Sequence, residues 1–184
     1  MKNRSNLILK TLVVSISIML LALGAVTKNR KHFSRISDMT NWINKYPFDE
    51  IADTSIFSLK ELKDETARAL GQKKFNEFLL IEQKGPQTPV QQVKDFLYFT
   101  VCEVHNCGHM FYFLVNFKQP RVFICERDFD IETTKNDSPI KVSATWYSSK
   151  GRVRKHLQQC EVYDEKTEET DWGKTISSIP AELL

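Results

Sequence analysis

The sequence predicts an α+β fold: a central antiparallel sheet of about five strands sandwiched between helices, with a disulfide-closed protruding loop. Three observations carry this expectation. Apolar residues recur at helical spacing in segments that precede residue 85. Aromatic and β-branched runs, separated by short turns, follow residue 95. Two cysteines, Cys102 and Cys107, lie where two of those runs meet. Helices grouped ahead of strands give α+β, and short connections between strands give an antiparallel meander.

The chain starts with a targeting segment. Lys2, Arg4 and Lys10 lead into an apolar run from Leu12 to Val26, followed by Lys28, Arg30, Lys31 and Arg35. A basic start, an apolar stretch and small residues at Ala22, Gly24 and Ala25 form the signal-peptide pattern. The run falls short of the ~20 residues of a membrane span. Leu7-Ile8-Leu9 can lengthen it, however, and the basic flank hinders translocation. Residues 1–26 are therefore a signal peptide or a signal anchor, and either places the rest of the chain outside the cytosol. Residues 27–49 form a linker and a short helix, and 50–184 a domain whose acidic tail, 161–184, has no assigned role.

Ile36, Met39, Trp42, Ile43 and Tyr46 make a helical stripe stopped by Pro47. Ser58-Leu59-Lys60-Glu61 has the form of a capping box, opening a helix on Leu59, Leu62, Thr66, Ala69 and Leu70 that Gly71 ends. Phe75 to Ile81 continues as a short helix or strand, broken by Gly85-Pro86-Gln87-Thr88-Pro89. Strands follow at Phe96–Val101, Met110–Phe117, Arg121–Ile124 and Ile140–Tyr147, with a turn at Lys118-Gln119-Pro120. Phe111, Phe113, Val115 and Phe117 alternate with Tyr112 and Leu114, so this strand is apolar on both faces and should be central. In the last strand Ile140, Val142, Ala144 and Trp146 alternate with Lys141, Ser143, Thr145 and Tyr147, as if half-buried. Trp42, Trp146 and Trp172 are expected as packing. Glu161 to Asp171 is acidic and is expected as a solvated surface.

Composition narrows the function. The 184 residues are 41% hydrophobic and 27% charged, with 6 Gly and 6 Pro, which excludes collagen-like and wholly disordered chains. One long apolar run excludes a polytopic membrane protein. The net charge is +3, but three of the 26 basic residues lie in the targeting segment, so the remainder is formally neutral. A neutral body argues against nucleic acid as the main partner. All four cysteines (Cys102, Cys107, Cys125, Cys160) follow the targeting segment, and an even number in an exported chain points to disulfides. Three pairings exist. Cys102–Cys107 is the most economical, which leaves Cys125 and Cys160 as a second bridge or as buried thiols.

The informative stretch is Cys102-Glu103-Val104-His105-Asn106-Cys107-Gly108. Bridging its cysteines closes a ring worth only about 2 kcal/mol of chain entropy. Its larger effect is to hold His105 in a narrow range of orientations, which removes ordering cost from binding.

With Thr88-Pro89-Val90-Gln91-Gln92-Val93 upstream and Gly108 after the ring, the sequence resembles the family of inhibitors of vertebrate lysozyme. These periplasmic proteins carry a Cys-Lys-Pro-His-Asp-Cys loop, usually followed by Gly, and a Thr-Pro-x-Gln-x-Val segment before it. The similarity spans about residues 56–130 and is strongest from Gly85 to Cys125. It implies a non-enzymatic binding protein without cofactor or metal, in some members a homodimer. Its loop enters the lysozyme cleft, and the loop histidine, here His105, meets the two catalytic carboxylates. A lytic transglycosylase is an alternative target. Glu103, Val104 and Asn106 replace the family's Lys, Pro and Asp. Glu103 sets a negative charge beside a site aimed at carboxylates.

Other chemistries compete for these residues. Cys102, His105, Cys107 and His109 have zinc-binding side chains, at a spacing foreign to familiar structural sites. A Cys–His nucleophile would need a free thiol. The bridge could also merely staple a hairpin, with His105 idle and His109 an ordinary strand residue. An envelope structural or assembly protein, anchored by residues 7–26, is the alternative from a different class.

Overall fold

The spacing of three between Ile36, Met39 and Trp42 suits a 3₁₀-helix, in which residues i and i+3 stack on one side. That is what the computed structural model contains, over Ile36–Trp42, with all three side chains buried. The model describes residues 32–82, 85, 87–103, 106–130, 141–150, 154–157, 159–164, 166–167, 169–177, 179 and 183. The targeting segment at 1–26, with Lys28, Arg30 and Lys31, lies outside the described residues, as do Val104, His105 and Ile140. The first helix is shorter than expected. Ile43 leaves it to bridge Val90, and Tyr46 is 50% exposed.

Helix α1 (Lys60–Leu70) buries Leu62, Thr66, Ala69 and Leu70, the expected stripe, and ends at Gly71 with φ 79°. That left-handed angle is why glycine stands there. The capping box does not form. Ser58 belongs to a 3₁₀ turn, Ile56–Ser58, and its hydroxyl donates to Ser55 O at 2.7 Å. Glu61 instead accepts the Ile36 N–H at 2.6 Å, tying α1 to the first helix. Tertiary partners have outcompeted the local cap. Phe75–Ile81 resolves as a helix, α2 (Gln72–Glu82).

Among the described residues, six strands form one open antiparallel sheet in sequence order: β1 (Gln91–Val93), β2 (Phe96–Glu103), β3 (Asn106–Asn116), β4 (Arg121–Asp130), β5 (Lys141–Ser148) and β6 (Arg154–Leu157). About five strands are expected and four are placed from the sequence; the two not placed are β1 and β6, both short and polar. On one face Leu97, Phe99, Val101, Phe111, Phe113 and Val115 pack under the helices. Phe57 makes edge contacts with both Phe99 and Phe113, at 5.6 and 5.8 Å between ring centres. Edge-on packing of this kind suits the ring quadrupoles.

The other face carries Tyr98, Tyr112, Leu114, Phe123, Cys125, Ala144 and Trp146. Its cover comes from the tail: Cys160, helix α3 (Trp172–Ser177), Ile179 and Leu183, with a small hairpin of β7 (Tyr163–Asp164) and β8 (Glu169–Thr170). Trp172, Ile176, Ile179 and Leu183 of the tail are thus packed on the sheet, while the acidic side chains of Asp164, Glu165, Glu168 and Glu169, expected as a solvated surface, lie outside those described. Cys125 and Cys160 are bridged and pin it to β4. β5 departs from its expected half-burial, since Thr145 and Tyr147 are buried along with Ala144 and Trp146.

Candidate functional site

The ring sits at the free end of the β2–β3 hairpin. Cys102 and Cys107 are bonded, with Cα atoms 5.0 Å apart. Strand pairing runs further than the sequence suggests. Glu103 pairs with Asn106, so only Val104 and His105 separate the strands. Cys102 pairs with Met110, which leaves Cys107, Gly108 and His109 as extra residues on β3. This bulge lets Cys107 reach back to Cys102 and re-aims His109. Cys102 is buried and Cys107 is exposed.

The upstream segment is joined to the same strand. Gln87 bridges Val101, Thr88 N donates to Thr100 O at 3.2 Å, and Thr100 N donates to Thr88 Oγ1 at 2.9 Å. Gly85 lies so close to the ring that a Cβ there would stand 1.5 Å from Cys102 O, so no larger residue fits without backbone movement.

His109 is not an ordinary strand residue. Its Nδ1 lies 3.3 Å from Glu103 Oε2 and its Nε2 lies 3.0 Å from Glu126 Oε1. Glu126 also receives Lys74 Nζ at 2.7 Å and the Tyr147 hydroxyl at 2.8 Å. Lys74 lies over the Tyr147 ring, 5.7 Å from its centre. The hydrogen bond to Glu126 raises the His109 pKa above its usual value, against the opposing effect of burial, with further help from Glu103 and Asp128. Burial alone would raise Glu126, but hydrogen bonds from His109, Lys74 and Tyr147 prevail and hold it at about 2. The only sequence signal for this cluster is hairpin register. Closing β3 on β4 through the Lys118–Pro120 turn pairs Phe111 with Glu126, which brings His109 one diagonal step away.

On the opposite face a cavity of about 500 Å³ is lined by Tyr98, Tyr112, Arg127, Glu161, Trp172 and neighbours. Glu161 accepts from the Tyr112 hydroxyl at 2.9 Å, Arg127 Nη1 at 3.0 Å and Thr170 Oγ1 at 2.7 Å. Burial, followed by the Glu161 charge, pushes the Tyr112 hydroxyl pKa up. Trp172 stacks on Tyr98 at 4.0 Å. Three donors, from Tyr112, Arg127 and Thr170, thus converge on the single Glu161 carboxylate.

Comparison with protein-family models, with curated proteins and with solved structures finds no match to this chain. All four sulfurs are in disulfides, so the thiolates that a Cys102–Cys107 zinc site or nucleophile needs are consumed. Two disulfides belong to an oxidising, exported setting. No helix among the described residues is long and apolar enough to cross a membrane.

Proposed function

We propose that the protein is a periplasmic inhibitor of lysozyme-type muramidases that inserts the Cys102–Cys107 loop, led by His105, into the catalytic cleft. It binds and does not catalyse. The observation that supports this reading is the junction of two sequence motifs at one end of the sheet. The Thr88–Pro89 segment is hydrogen-bonded to β2, and the ring closes the same strand a few residues on.

The chemistry follows from the target. Muramidases hold two carboxyl groups on either side of the scissile bond. An imidazolium has two N–H donors and a positive charge, so one histidine can satisfy both, at about 1.5–3 kcal/mol for each charge-assisted bond. A covalently closed loop presents it with little ordering cost. The test mixes the oxidised protein with several lysozymes, and separately with a lytic transglycosylase, and follows cell-wall lysis. Inhibition of a lysozyme is expected, and His105→Ala should weaken it ten-fold or more. Full lysis at micromolar excess over every lysozyme would overturn the proposal, and inhibition confined to the transglycosylase would reassign the target. An unchanged inhibition constant in His105→Ala would reject the role given to that residue.

A further inference from the structure

We infer that His109 is a positioning residue for the ring: in its protonated form it bridges Glu103 at the ring's base to Glu126 in the sheet, and so holds Glu103 away from an acidic target. The consequence for inhibition rests on the muramidase reading, whereas the bridge itself does not.

The geometry supplies the argument. Glu103 immediately follows Cys102, and His109 closes the bulge that begins at Cys107. The His109 side chain therefore spans the two covalently joined strands at the foot of the ring. Its two ring nitrogens each face a carboxylate, Glu103 at 3.3 Å and Glu126 at 3.0 Å. Only an imidazolium can donate to both at once. Neutral imidazole has one N–H and one lone pair, so one of the two carboxylates must then face an acceptor.

The groups around His109 decide which contact gives way. Glu126, on β4, is held from two further sides, by Lys74 of α2 and Tyr147 of β5. Asp128, also on β4, adds negative charge that favours the imidazolium. Glu103, on β2, has a side chain 40% exposed against 14% for Glu126, and water can solvate it. On deprotonation the N–H stays with Glu126 and the His109–Glu103 hydrogen bond is lost. Its charge then lies beside the ring uncompensated by His109, which opposes docking into a pair of carboxylates. Inhibition should therefore weaken as pH rises past the His109 titration, in addition to any titration of His105 or of the target.

The experiment is an NMR titration of the oxidised, isotope-labelled protein from pH 5 to pH 9, with inhibition of lysozyme measured over the same range. The His109 ring should titrate above the ordinary histidine value, and the Glu103 and Cys107 amides should move with the same midpoint. Glu103→Gln should lower that midpoint while leaving the ring's contact with Glu126. In the inhibition assay, the wild-type constant should rise several-fold more between pH 5.5 and pH 8.5 than that of Glu103→Gln. The inference is overturned if the amides do not follow His109, or if Glu103→Gln leaves the midpoint unchanged. It is also overturned if both proteins inhibit with the same pH profile. If neither inhibits at any pH, the muramidase reading fails, while the titration still decides whether the bridge exists.

Discussion

Glu126→Gln removes the charge at the centre of the His109 cluster while keeping the shape of the side chain. In the folded protein Glu126 titrates at about 2, against 4.5 for an ordinary glutamate. That difference corresponds to roughly 3 kcal/mol of folding stability at neutral pH. Because the folded pKa is depressed, the contribution is complete above the unfolded value and is lost as pH falls towards 2. At pH 3 less than half of it should remain. His109 has the opposite dependence. Its folded pKa is raised, so its contribution is complete below the unfolded value of 6.5 and is lost as pH rises through the folded one. The cluster therefore stabilises most between about pH 5 and pH 6.5, and its His109 part falls away from there to the raised folded value. Thermal unfolding of wild type and Glu126→Gln at pH 7 should differ by about 6–12 °C in Tm, from the roughly 2–4 °C per kcal/mol of a domain this size. The gap should close by more than half at pH 3. A gap equal at the two pH values, or one below ~1 kcal/mol at pH 7, would refute this account of the cluster.

The two disulfides should separate by loop length. Replacing Cys125 and Cys160 with Ala opens a span of 35 residues and should cost about 4 kcal/mol in urea unfolding, whereas replacing Cys102 and Cys107, five apart, should cost about 2 kcal/mol. On the proposed function the second pair of substitutions should nevertheless be the one that abolishes inhibition. The reverse order of stability would argue against the loop-length reasoning. Gly85→Ala places a methyl group on Cys102 O and should destabilise by about 1–3 kcal/mol through forced backbone movement. A wild-type Tm in that variant would refute the close approach of Gly85 to Cys102 O.

Much of the fold was legible because its signals are local. Leu62, Thr66, Ala69 and Leu70 mark α1 by period, and the two-sided apolar character of Phe111 to Val115 places β3 inside the sheet. What escaped depends on partners distant in sequence. Glu61 leaves Ser58 for the Ile36 N–H, and no four-residue motif contains Ile36. Tyr147 looks solvent-facing by alternation but is buried where Lys74 of α2 lies over its ring. Strands β6 to β8 and helix α3 are too short and polar to carry a period, and the Cys125–Cys160 bond secures the layer to which α3 belongs. At the candidate site the ring announces itself through cysteine spacing. The His109 cluster is assembled from β2, β3, β4, β5 and α2, so only the sheet register discloses it.

The Cys125–Cys160 bond also bears on survival outside the cell's interior. A protease that hydrolyses the backbone once between those two residues liberates no fragment, because the halves stay tethered through sulfur. The severed piece carries Ile179 and Leu183, which pack on the sheet, and it remains at high effective concentration beside its docking surface. A clipped molecule should therefore keep its shape until a reductant reaches it.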